Sequence, residues 1–502
     1  FMGDRVIWVV YFFLCIISLI EVYSAASTLA YKSGRFWDPL VKQALFLAAG
    51  TLVALVIHRI PCRMFKALPI LCWPLSLLLL SITLMGGSTN GASRWIDWGF
   101  VQFQPSEIAK GSVVLSVALI LSRLQREGGA DRRAFKIIMI VLGFPLALIV
   151  TENLSTAGLL FGVVFIMMFI GRVPLTQLGK LLGVIALIGT VVGVLTFFST
   201  DVPGLHRLET WKHRVETHIS GDENSRDDDP ATYDIDKGAQ VAHANIAIAS
   251  SNGIGRMPGN SVQRDFLSQA FSDFIFAVII EEMGLWGAAI VVFLYIILLF
   301  RAGRIASRCE RNFPAFLIMG LTLLLVSQAI LNMMVAVGLF PVTGQPLPLI
   351  SRGGTSTLIN CAYIGMILSV SRYAKQTAHP VHTQFDGPMR TTEGKTLNCN
   401  LSFTKTENAL SIVDNAFSVF LCLILVVSVL RIVNGVVKTA ALFAFKRLTR
   451  DEIAHVDHVA KFANVACRLH LLVELFRLLV QEVETRPSTF QTKVRTYNAY
   501  VS

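Results

Sequence analysis

The stretch Phe271-Ser-Asp-Phe-Ile-Phe-Ala-Val-Ile-Ile-Glu-Glu-Met-Gly284 decides the fold. From Phe274 to Phe300 the chain is apolar apart from Glu281 and Glu282. At ~1.5 Å per residue a helix of that length crosses the roughly 30 Å hydrocarbon core of a bilayer. Asp273 then stands at a membrane surface. Glu281 lies roughly 12 Å deeper and about 80° round the helix, and Glu282 faces away from Asp273, so the three acids are expected not to form one cluster. At this mouth Asp273 is either the helix N-cap or a group that does chemistry. Acids inside a spanning helix are costly, and they face a bundle interior where they have a partner or a task.

The rest of the chain agrees with a membrane protein. Of 502 residues 54% are hydrophobic and only 15% charged, and the mean hydropathy is +0.61, which excludes a soluble globular class. The net charge of +11 comes mainly from short basic clusters between apolar runs, where topology and lipid headgroups explain it, and no basic groove motif points to nucleic acid. Eight cysteines are scattered without a CxxC pair, so neither a disulfide scaffold nor a zinc ribbon organises the fold. His455 and His458 could share a helical face, and a solvated pair there outweighs a metal site.

Ten apolar segments read as spans, near 6–25, 40–57, 67–85, 106–122, 135–151, 154–171, 178–198, 274–300, 314–337 and 354–372. Ser24-Ala-Ala-Ser imitates a cleavage site, but the first segment reads as a retained helix. The connections alternate in charge: Arg59, Arg63 and Lys66, then Arg123 to Lys136, then Arg172 and Lys180, then Arg301 to Arg311, then Arg372 and Lys375. The positive-inside rule makes these cytoplasmic, with both ends of the ten-helix core inside and Asp273 outside. The outer side holds three irregular segments. Residues 86–105 are rich in Gly and carry Trp95 and Trp98; residues 199–273 form a large loop between the seventh and eighth helices; Gly338 to Gly354 contains three prolines and reads as a cavity-lining turn. Past Lys375 the composition changes. Residues 376–412 read as a polar linker and 413–502 as a helical tail of unassigned role, where an eleventh span near 413–432 stays open.

The ordered motifs Gly91-Ala-Ser-Arg-Trp95, Gln104-Pro-Ser-Glu-Ile-Ala-Lys110, Gly259-Asn-Ser-Val-Gln263, Ser272-Asp-Phe-Ile-Phe-Ala277 and Asn332 through Ser351-Arg-Gly-Gly-Thr355 resemble the SEDS family (shape, elongation, division, sporulation). The segment Gly259 to Gln263 is similar to its division branch, FtsW, more than to its elongation branch, RodA. The resemblance covers residues 6–375. It implies an all-α, ten-helix enzyme of the bacterial cytoplasmic (inner) membrane, active at the division septum. By the same resemblance the enzyme polymerises lipid II into glycan strands, works with a class B penicillin-binding transpeptidase and other division-complex proteins, and uses Asp273 as its catalytic acid. One departure is local: where the family has Pro-Asp at the turn between the fifth and sixth helices, this chain has Glu152-Asn153. The tail from 376 on matches nothing in the family.

Such a reaction joins a 4-hydroxyl to an anomeric carbon whose leaving group, a lipid pyrophosphate, already leaves well. One base with cations on the phosphates suffices, where a glycosidase needs two carboxyls. Asp273 fits the base, and shielding at the membrane edge would strengthen it. Arg94, Lys110, Arg214, Arg264 and Arg352 are the candidate phosphate contacts, and Glu107, Glu281 and Ser351 join them as candidate substrate contacts. Lys110 is expected to pair either with Glu107, three residues earlier, or with Glu281. A divalent cation, magnesium or manganese, is chemically compatible with the pyrophosphate, although no ligand motif marks a site. Two rival readings are a lipid II transporter and a non-catalytic scaffold for a transpeptidase. Against the transporter, no paired interrupted helices recur in two matching halves.

Overall fold

The computed structural model describes residues 3–25, 37–85, 96–97, 102–126, 128–198, 239–251, 254–267 and 272–378. Arg94, Trp95, Arg214, the acidic run of the long loop and the chain from residue 379 onward lie outside them.

Eleven α-helices make up the described fold: α1 (Arg5–Ala25), α2 (Asp38–Ile57), α3 (Leu68–Met85), α4 (Pro105–Arg123), α5 (Arg132–Glu152), α6 (Leu154–Ile170), α7 (Leu175–Phe198), α8 (Ala239–Ser250), α9 (Ile275–Ala306), α10 (Asn312–Ala336) and α11 (Thr355–Ala378). Every apolar segment read from the sequence coincides with one of them. The remaining one, α8, falls inside the long loop and packs on α9. Among the described residues seven helices are long and apolar enough to cross a membrane, while α6 and the described part of α7 are shorter apolar helices. The fold is thus mostly helical and multi-pass, with two short antiparallel pairs, Ile96–Asp97 with Gln102–Phe103 and Gln125–Arg126 with Gly129–Ala130. Helix α11 is less apolar because it carries Thr355, Ser356, Thr357, Asn360, Ser369 and Ser371, all of them buried.

Helices α4 and α10 form the centre. α10 packs against α9, α4, α6 and α11, whereas α2 and α3 turn Leu45, Leu52, Ile70 and Leu71 outward, as lipid-facing helices do. Helices α2 and α11 pack against each other through small residues. A Cβ on Gly50 would stand 2.6 Å from Cys361 Sγ, and one on Gly365 would stand 3.0 Å from the Ala54 backbone. At the start of α1, Asp4 caps the helix by accepting from Val6 N at 2.8 Å and pairs with Arg301 Nε of α9 at 2.8 Å.

Helix α9 is not the uninterrupted span expected. Gly284 adopts φ 69°, ψ −169°, a left-handed conformation that breaks the ladder and frees the carbonyls of Glu281 and Glu282. The loop after α8 takes them up: Arg256 N donates to Glu281 O at 3.0 Å and Met257 N to Glu282 O at 2.8 Å. The loop comes so close that a Cβ on Gly255 would meet Glu282 O at 2.4 Å. A broken helix at membrane depth is tolerated where protein re-satisfies its backbone, as here.

Candidate active site

The helix signal of α9 begins at Ile275, and its N-cap position falls on Phe274, whose side chain makes no cap hydrogen bond. Asp273 therefore stands one residue ahead of the cap, in a turn, half-exposed, while Phe274 behind it is fully buried. The backbone of this turn is fixed from two sides. Asn332 Nδ2 of α10 donates to Asp273 O at 2.9 Å and also to Gln345 O at 2.8 Å. Ser351 Oγ donates to Ser272 O at 2.7 Å and accepts from Leu347 N at 2.8 Å. Both bridges run to the segment 338–354, so that segment and Asp273 are one structural unit. Ser272 Oγ donates to Asp273 Oδ1 at 3.0 Å, and a Cβ on Gly344 (φ +67°) would lie only 3.8 Å from Asp273 Oδ2.

The segment 338–354 is non-helical, with Gly338, Gly344 and Gly354 at positive φ and with buried Leu349 at φ 66°. A leucine held there is strained by about 1–3 kcal/mol, and such strain persists only where the surroundings over-determine it. Those surroundings are visible. Tyr295 OH donates to Pro348 O, Gln328 Nε2 to Pro346 O at 3.0 Å, and Gln345 Nε2 to Thr156 Oγ1 at 2.6 Å.

Lys110 lies directly behind this frame. It is fully buried, and its Nζ donates to Glu107 Oε1 at 2.8 Å and to Gln328 Oε1 at 2.9 Å. Of the two pairings expected for Lys110, the structure forms the one with Glu107. Gln328 then links the ion pair to the Pro346 carbonyl.

Glu281 and Glu282 behave differently from Asp273. Both are fully buried, and both grip the loop that contains Gly259 to Gln263. Glu281 accepts from Val262 N at 3.0 Å, Ser261 Oγ at 2.5 Å and Gln263 N at 3.4 Å. Glu282 accepts from Gly259 N at 3.0 Å, Ser261 N at 3.2 Å and the hydroxyl of Ser24 on α1. Arg264 Nη1 donates to Ser24 Oγ at 2.8 Å and lies 3.8 Å from Glu282 Oε1. Although a full 100° apart on an ideal helix, the two glutamates meet on one residue, Ser261, because the loop wraps around the helix.

Of the candidates drawn from the sequence, Asp273 and Ser351 come together, with Arg352 next in the chain. Lys110 and Glu107 form the buried pair behind them. Glu281 and Arg264 join the loop clamp, and Arg94 and Arg214 lie outside the described residues. Asn332, Gln328, Gln345 and Thr156 were not singled out as site residues. Gln328 and Asn332 are one turn apart on a helix that otherwise reads as apolar, and that i, i+4 polar pair was the available signal. Asn153, standing where the family has its acid, caps α6 by accepting from Thr156 N at 3.3 Å, a task Asn performs as well as Asp. Among the described residues no three His, Cys, Asp or Glu side chains gather where they could hold a metal ion.

A multi-pass helical membrane protein with a partly exposed acid set against a non-helical segment is the class this geometry defines. The chain belongs to the FtsW/RodA/SpoVE family of cell cycle proteins, whose signature covers residues 4–376. It is 31% identical over 382 residues to the probable peptidoglycan glycosyltransferase FtsW of Halomonas elongata, covering 73% of this chain and 90% of that protein. It is 30% identical over 376 residues to the peptidoglycan glycosyltransferase MrdB of Escherichia coli K12, covering 73% and 95%. Among solved structures, a chain from work on the structural coordination of polymerization and crosslinking by a peptidoglycan synthase complex matches with a TM-score of 0.59 at 27% identity, covering 74% of this chain and 99% of that one. The rod shape determining protein RodA of Thermus thermophilus shares the fold, with a TM-score of 0.52 at 23% identity over 74% and 97% of the two chains.

Proposed function

We propose that this chain is a peptidoglycan glycosyltransferase that polymerises lipid II at the outer face of the bacterial cytoplasmic membrane, with Asp273 as general base. The single observation that carries the assignment is the Asp273 turn: a half-exposed carboxylate locked through its own backbone to the segment 338–354. In the reaction Asp273 takes the proton of the acceptor 4-hydroxyl. The new bond forms between that oxygen and the donor anomeric carbon, and the bond from that carbon to the lipid pyrophosphate breaks. Positioning a base in this way is worth about 10² to 10⁴ in rate. Arg352, beside Ser351, and Lys110, behind Pro346, are the described cations tied to this unit by chain or hydrogen bond, and we assign them to the charge of the leaving pyrophosphate. Arg94 and Arg214 are further candidates for the same charge.

The names of the relatives support glycan polymerisation, and purified protein given lipid II is the test. Polymer is the expected product. Carrier movement without polymer would establish the transporter instead, and neither would leave the scaffold. The division role rests on the Gly259 to Gln263 resemblance, because relatives of both branches match at nearly equal identity. Depletion that yields filaments supports it, and rounded cells would assign the chain to elongation. For the partner, a single-span transpeptidase, α9 offers the lipid-facing stripe Leu285, Trp286, Ile290, Phe293 and Phe300, whereas α10 is mostly buried. Co-purification lost on replacing Trp286 and Phe293 with alanine is the expected result, and unchanged co-purification would move the interface elsewhere.

A further inference from the structure

At the end of the bundle far from Asp273, three separate elements bring four cations around one hollow of about 190 Å³. Arg63 and Lys66 come from the turn between α2 and α3, Arg311 from the residue before α10, and Arg372 from the last turns of α11. Asn312 and Asn332 stand at opposite ends of α10, so at ~1.5 Å per residue this hollow is roughly 30 Å from the Asp273 unit. Charge bias puts it on the cytoplasmic side.

None of the four cations has a carboxylate partner among the described residues, and exposed Glu310, the neighbour of Arg311, pairs with none of them. Like charges are not gathered without cost, so their convergence calls for an anion. The walls are built. Lys66 Nζ sits 5.6 Å from the centre of the buried Phe313 ring, and Arg372 Nη2 donates to Arg59 O at 3.2 Å. Tyr373 and Ser369 complete the lining, and Ser369 Oγ donates to Ile60 O at 2.5 Å, fixing the turn to α11. Cys62 lines the same hollow, and while burial raises its thiol pKa, Arg311, Lys66 and Arg372 act to lower it. Guanidinium forks match phosphate oxygens two at a time, and an ammonium adds a point charge. The apolar walls beside them suit acyl chains or the stem of a headgroup.

We propose that this basic hollow binds a phosphate group presented at the cytoplasmic face, carried by the headgroup of an anionic phospholipid or by a free phosphate. Basic pockets between spanning helices on this side are suited to such headgroups, and each cation near the surface adds a several-fold gain in affinity. The test uses the full chain purified in detergent, titrated with phosphatidylglycerol, phosphatidylcholine or inorganic phosphate, with bound adducts read by native mass spectrometry and folding by thermal unfolding. Phosphatidylglycerol is expected to bind more tightly than phosphatidylcholine. Arg63→Gln/Arg311→Gln should weaken it at least about tenfold, while Arg132→Gln/Arg133→Gln, at another turn with the same charge bias, should not. If the first pair does not fold, Lys66→Gln and Arg311→Lys serve in its place, the latter keeping charge but losing the fork. Millimolar inorganic phosphate that displaces the lipid and stabilises only the wild type would assign the site to free phosphate. Equal binding of the two lipids together with no effect of phosphate, or equal losses in both double variants, would overturn the proposal.

Discussion

Asp273 and the pair Glu281–Glu282 are acids of one short stretch, yet the structure treats them in opposite ways. The glutamates are fully buried, and their oxygens are met by backbone N–H groups and hydroxyls of the loop from Gly259 to Gln263. Asp273 stays partly exposed: its backbone is held by Asn332 and that of its neighbour by Ser351, while its carboxylate accepts from the adjacent Ser272 hydroxyl. A carboxylate surrounded by donors and closed off from water is an anchor. One whose position is fixed through the main chain while its head stays partly exposed fits the base proposed above. Proximity in sequence therefore says little about role here; the direction from which each acid is held says more.

The sharpest test of that contrast is Asp273→Asn, which keeps size and hydrogen bonding but removes the proton acceptor. Turnover on lipid II should fall about 10² to 10⁴-fold, while lipid II binding and thermal stability stay near wild type. Asn caps helices as well as Asp, so an acid that only organised the helix start would leave activity intact. Full activity in this variant would remove the catalytic assignment.

Next in size is the ion pair behind the frame. Lys110→Met leaves Glu107 charged and buried without its partner, which costs about 3–5 kcal/mol, and it also releases Gln328 from one of its bonds. Polymerisation should be lost along with much of the stability. The double variant Glu107→Gln/Lys110→Met separates the two effects. If it regains thermal stability but not turnover, Lys110 contributes charge to the reaction; if both return, the pair only supports the Pro346 segment.

A smaller and different effect is expected at the clamp. Glu282→Ala strands the N–H groups of Gly259 and Ser261 and the Arg264 guanidinium, and it should cost about 3 kcal/mol in unfolding measurements. Proteolysis within 254–267 should speed up, whereas turnover of the folded fraction should fall far less than in Asp273→Asn. Glu282→Gln, which keeps one acceptor, should show about half the loss. A Glu282 variant that is stable yet inactive would erase the distinction between anchor and base.

How far the sequence reveals this arrangement depends on the length scale of each signal. Long apolar runs mark helices directly, so the span expected at 40–57 appears as Asp38–Ile57 and the one at 135–151 as Arg132–Glu152. Helix α8 escaped because its 12 residues, AQVAHANIAIAS, are too short for a span and too weakly patterned to stand out in a polar loop. The break at Gly284 escaped for another reason. A single glycine inside a strongly apolar run is compatible with an intact helix, and only the loop that accepts the freed carbonyls fixes it as a break. Asp273 and Ser351 stood out as candidates because both lie in motifs that resemble the family's. Their bridge through Asn332 joins residues far apart in the chain, and no local pattern encodes that contact. Helix geometry rightly kept Asp273 apart from the two glutamates, but it could not show that one loop, reaching two faces, joins Glu281 and Glu282 at Ser261.

The smallest effect is expected where the tail is removed. The family signature ends at residue 376, the composition turns polar just beyond, and α11 runs to Ala378. A stop after Ala378 keeps the whole helix, including the turn that carries Arg372, whereas a stop at the composition break would cut its last residues. Truncation tolerance follows from what the removed backbone holds in place, and every hydrogen bond described for the Asp273 unit, the Lys110 pair and the loop clamp lies before this point. Glycan polymerisation by the shortened chain should therefore stay within about twofold of the full chain, an allowance that matches the few tenths of a kcal/mol typical of remote changes. Against the 10² to 10⁴-fold loss expected for Asp273→Asn, this is the control that confines the chemistry to residues 1–378. A truncated protein that folds, measured by its unfolding transition, and yet makes no polymer would make residues 379–502 part of the catalytic machine and move the domain boundary to the C-terminal end of the chain.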